Sequence, residues 1–104
     1  MNVKVIMNDK GEVQKTSIQL MIEARNDGLG RAALDGLAEQ INIFSRLKTE
    51  NELYLHKALL YGYIFYCQDC GLVTKKSGDD LLRLIDELVK NELVRVQGDE
   101  AHAK

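Results

Sequence analysis

The stretch from Thr49 to Gly71, TENELYLHKALLYGYIFYCQDCG, decides how the rest of the chain must be arranged. Thr49 and Glu52 stand three apart, the pattern in which each side chain satisfies a backbone N–H of the other at a helix start. The helix runs through Leu53, Leu60 and Ile64 toward Cys70, and Gly71 followed by apolar Leu72 reads as a glycine stop. From Ala58 to Cys67 apolar residues go round the whole cylinder. A helix apolar on every side has to be covered on every side, by its own domain or by a second protomer. All four tyrosines, Tyr54, Tyr61, Tyr63 and Tyr66, lie on this one helix, with Phe65 among them. Tyrosine suits a protein–protein face because it buries area while keeping a hydroxyl for hydrogen bonding. These four are therefore the candidate interface residues.

On either side the periodicity supplies the covering elements. Before the central helix, Leu34, Leu37, Ile41 and Phe44 form a helical stripe, with Ala33 and Leu47 beside it and Glu39, Gln40, Arg46 and Lys48 mostly opposite. After it, Ser77 precedes a helix with Asp79 and Asp80 in its first turn, which buries Leu81, Leu84, Ile85 and Leu88. Leu93 to Gln97 reads as a short strand, and 98–104 as a flexible polar tail. At the other end Val3, Val5 and Met7 alternate with polar residues as a strand, and Asn8 to Glu12 is a turn cluster. Residues 13–23 fit two periods. Thr16 and Gln19 cap a helix carrying Ile18, Met21 and Ile22, ending at Gly28; the same residues alternate as a hairpin's return strand.

The expected fold is mostly α within α+β: a compact bundle of about four helices with a small two- or three-stranded antiparallel sheet from the N- and C-terminal segments. The terminal strands are natural partners because a lone strand leaves its backbone unsatisfied. Residues 1–97 form one domain.

The chain has 104 residues, 45% hydrophobic and 29% charged, enough for one core and too apolar for disorder. With 14 Lys and Arg against 16 Asp and Glu the formal charge is −2, and no basic stripe of the sort that neutralises phosphates is visible. The opening Met1-Asn2-Val3-Lys4 lacks a charged-then-apolar leader, and Ala58 to Cys67 is about half of a membrane span. The expectation is a cytoplasmic, non-membrane protein whose two cysteines stay reduced.

Cys67-Gln68-Asp69-Cys70 supplies half of a zinc site. His56 lies eleven residues earlier on the same helix, roughly 16 Å away, out of reach of one ion. His102, in the polar tail, would add a single weak ligand, which leaves a site shared by Cys67 and Cys70 of two protomers as the geometric option; the expected reading is no metal and no cofactor. A redox dithiol sits at a helix N-terminus, whereas this pair closes a helix and encloses Asp69. Gly28-Leu29-Gly30 lacks the third glycine of a dinucleotide fingerprint and reads as a helix–helix loop. His56 has no identifiable nucleophile to activate. The acidic pairs Asp79-Asp80 and Asp86-Glu87 have Arg83 and Lys90 between and beside them, which makes a solvated charged face.

Asp80 to Val96, DLLRLIDELVKNELVRV, resembles the part of winged helix-turn-helix regulators where the recognition helix runs into the first wing strand. That resemblance covers some 17 residues and implies DNA contacts from Lys75, Lys76 and Arg83, with Arg95 on a wing. The sequence departs from the pattern in two places. Only Leu72 to Ser77 separates this helix from the one before, and the helix opens with two aspartates where phosphates would lie. The function expected from the residues themselves is a non-enzymatic interaction or regulatory module, acting as a homodimer or on another protein through its tyrosine-rich helix. The alternative is a winged-helix-like DNA-binding regulator.

Overall fold

A computed structural model of the protein describes the backbone of residues 2–8 and 19–102, and the side-chain surroundings of residues 21–98. The chain is mostly helical. Its elements in order are β1 (Asn2–Asn8), β2 (Gln19–Arg25), α1 (Gly28–Ile43), a 3-10 turn (Phe44–Arg46), α2 (Glu50–Asp69) and α3 (Lys75–His102).

Residues 19–25 resolve the ambiguity of the second segment in favour of the strand. β2 pairs antiparallel with β1, Val3 opposite Ala24 and Val5 opposite Ile22. Ile22 and Ala24 are buried while Met21 is exposed, the two-residue period of a half-buried strand. The expected helix over 13–23 is thus corrected where it overlaps β2; the turn cluster beyond Asn8 and the Thr16 cap lie outside the described residues. Gly28 does not end a helix but begins one. Asp27 caps α1, its carboxylate accepting from the Gly30 N–H at 2.9 Å.

The second correction lies at the other end. Residues 93–97 are helical, part of the long α3, and pair with no strand. Leu81, Ile85, Leu88, Val89 and Val96 are all buried at helical spacing, and no glycine or proline interrupts the run before Gly98. The β-branched pair Val94 and Val96 suggested a strand, yet Val96 is buried and Val94 exposed at 200° of helix rotation. Tertiary packing outweighs a propensity difference of well under about 1 kcal/mol per residue. Among the described residues the arrangement is therefore three α-helices with an N-terminal pair of antiparallel strands, not four helices with a sheet joining the two ends.

Along the other edge, β2 meets the α2–α3 connection. Arg25 N–H donates to the Leu72 carbonyl and Thr74 N–H to the Glu23 carbonyl, both at 2.9 Å, around an Ala24–Val73 bridge. The buried Ser77 hydroxyl accepts from the Glu23 N–H at 2.7 Å. α3 starts at Lys75, earlier than expected from Ser77, because Thr74 precedes it and its hydroxyl accepts from the Ser77 N–H. These bonds fix the end of α2 and the start of α3 against β2. The core between them is Ile22, Leu37, Ile41, Phe44, Leu53, Leu60, Ile64, Leu81, Ile85 and Val96.

Candidate functional site

The ends of α2 form as the residues require. Thr49 Oγ1 accepts from the Glu52 N–H at 3.1 Å, and Glu52 Oε1 accepts from the N–H of Thr49 at 3.0 Å. At the other end Leu72 N–H donates to the Cys67 carbonyl at 2.8 Å, and Gly71 takes φ 69°, a left-handed conformation that glycine adopts without a Cβ penalty. A helix of 20 residues is held between those two stops.

Only a narrow side of this helix is buried: Leu53, Leu60, Ile64 and Cys67. The opposite side is apolar and uncovered. Leu55 is 71% exposed, Leu59 61%, Tyr66 60%, Phe65 49% and Tyr54 47%, with exposed Ala58 and Gly62 between them. No charged side chain lies on that side between Glu52 and Asp69. Leu55, Leu59, Gly62 and Tyr66 follow one another at spacings of four, three and four residues, the seam of a helix made to pack on another.

The four tyrosines do not share this surface. Tyr54 and Tyr66 belong to it; Tyr61 and Tyr63 turn to its flanks and are half-buried. Tyr61 donates its hydroxyl to Asp86 on α3, Lys57 pairs with the same carboxylate at 3.2 Å, and the Phe65 ring meets Tyr61 edge-on at 6.2 Å. Burial, reinforced by the Asp86 hydrogen bond, pushes the Tyr61 phenol up to about 12. The same hydrogen bond and Lys57 hold the Asp86 carboxyl below its usual range. Tyr63 lies over Gly36 of α1, and burial raises its phenol too. Leu55 and Leu59, the most exposed members of the stripe, did not stand out in the sequence. Projecting α2 from its buried positions at 100° per residue places them opposite, and that projection was the available signal.

The two cysteines are free, Cys67 buried and Cys70 exposed. Burial raises the Cys67 thiol, and the neighbouring Cys70 adds to the effect, so the thiolate is disfavoured. Among the described residues no three His, Cys, Asp or Glu side chains are grouped to hold a metal. His56 is half-buried, its Nε2 2.8 Å from the Gln40 carbonyl and its ring edge-on to Phe44 at 4.6 Å. It ties α2 to α1.

Gly28-Leu29-Gly30 proves to be the first turn of α1, not a helix–helix loop. The helix start that a phosphate would use is taken by the Asp27 carboxylate, which Gly30 N–H and then Arg25 hold below its usual range. The cations of the DNA-binding alternative are each set beside an acid. Lys75 pairs with Asp79 at 3.4 Å and Lys76 with Asp80 at 3.1 Å, while Arg83 also contacts Asp80. Arg95 stands on a helix instead of a wing. It pairs with Glu92 and donates to the Leu47 carbonyl at 2.6 Å, closing the end of the 3-10 turn.

Compared with known proteins, the chain matches no family model, no curated protein and no solved structure. Among the described residues no helix is long and apolar enough to cross a membrane.

Proposed function

We propose that this chain is a small, non-enzymatic interaction module that acts as a homodimer through the exposed apolar side of α2. One observation carries the reading: the uncovered stripe of Tyr54, Leu55, Leu59, Phe65 and Tyr66 on a helix whose opposite side packs into the core. Weighted by their exposure, these five residues present roughly 600 Å² of surface, most of it apolar, the upper end of what a monomer shows. Two copies packed face to face remove at most roughly 1,200 Å² from water, the size at which specific protein–protein interfaces begin.

The experiment is a substitution inside the stripe, read by light scattering after size exclusion. Leu59→Glu leaves the core untouched, because Leu59 projects to solvent. It buries two carboxylates per dimer and leaves a monomer at concentrations where the original chain is dimeric. A dimer that persists unchanged in Leu59→Glu rejects this face. Leu59 and Leu55 are better probes than Tyr61 or Tyr63, whose replacement also breaks contacts inside the chain.

A further inference from the structure

We draw no further inference here: the strongest candidate, the exposed apolar stripe of Tyr54, Leu55, Leu59, Phe65 and Tyr66 along α2, belongs to the face already described, and nothing in the structure shows what covers it or in which direction.

Discussion

Gly30→Ala tests the junction on which β2 and α1 meet. Helix propensity alone predicts that this change stabilises α1 by about 1 kcal/mol, since Gly30 lies within the helix. The packing predicts the reverse. A Cβ at Gly30 would be driven into the Arg25 carbonyl oxygen and stand 2.6 Å from the carbonyl carbon, atoms of the backbone that cannot rotate away. Relief requires α1 to move off the end of β2. That movement adds an overpacking cost of about 1–3 kcal/mol and weakens the Asp27 cap, worth about 1 kcal/mol. After the propensity gain is subtracted, the net loss is about 2 kcal/mol. Urea unfolding followed by circular dichroism measures it, with Gly62→Ala as the control. The same change at Gly62 meets open space and stabilises the monomer by up to about 1 kcal/mol. If both variants are equally stable, or Gly30→Ala is the more stable, the contact between α1 and β2 described above is wrong.

Three further outcomes follow from the packing. In α3, Val96→Ala removes two buried methyl groups and costs about 2 kcal/mol, whereas Val94→Ala at an exposed helical site is neutral or slightly stabilising; a strand at 93–97 would not produce that contrast. Ultraviolet titration shows one phenol ionising near 12, above the ordinary tyrosine range, and Asp86→Asn lowers that value without restoring it fully, because burial is the larger cause. The Tyr61 phenol is raised on folding, so its contribution to stability is complete below pH 10 and is lost as the pH rises toward 12. Ser77→Ala deletes the buried acceptor of the Glu23 N–H and destabilises the chain by about 1–2 kcal/mol in urea, and Ser77→Thr retains part of it.

What the sequence disclosed, it disclosed through local chemistry. Thr49 with Glu52 and Gly71 with Leu72 carry their own hydrogen-bonding logic, so the ends of α2 were legible without knowing the rest of the chain. The stripe from Ala33 to Phe44 was equally plain, since one period fitted it. Residues 13–23 satisfied two periods, and for Gln19 onward only pairing with β1 decides between them. Those partners are 11 or more residues away in the chain. The strand expected over 93–97 failed for the same reason in reverse. Val94 and Val96 have strand propensity, but the surface that buries Val96 is supplied by other elements. For the candidate site, the helix was identified and its uncovered side was not. Tyrosine rings drew attention to residue type, while exposure follows rotation about the helix axis. Tyr61 and Tyr63 rotate toward α3 and α1, and the aliphatic Leu55 and Leu59 rotate to solvent.

Sedimentation equilibrium of the unmodified chain, from below one micromolar to hundreds of micromolar, bears most directly on the uncovered side of α2. The account predicts a mass that rises from the 11.8 kDa monomer to twice that value and stops there. A mass that stays at the monomer value through the whole range contradicts it, and so does one that climbs past the dimer without a plateau.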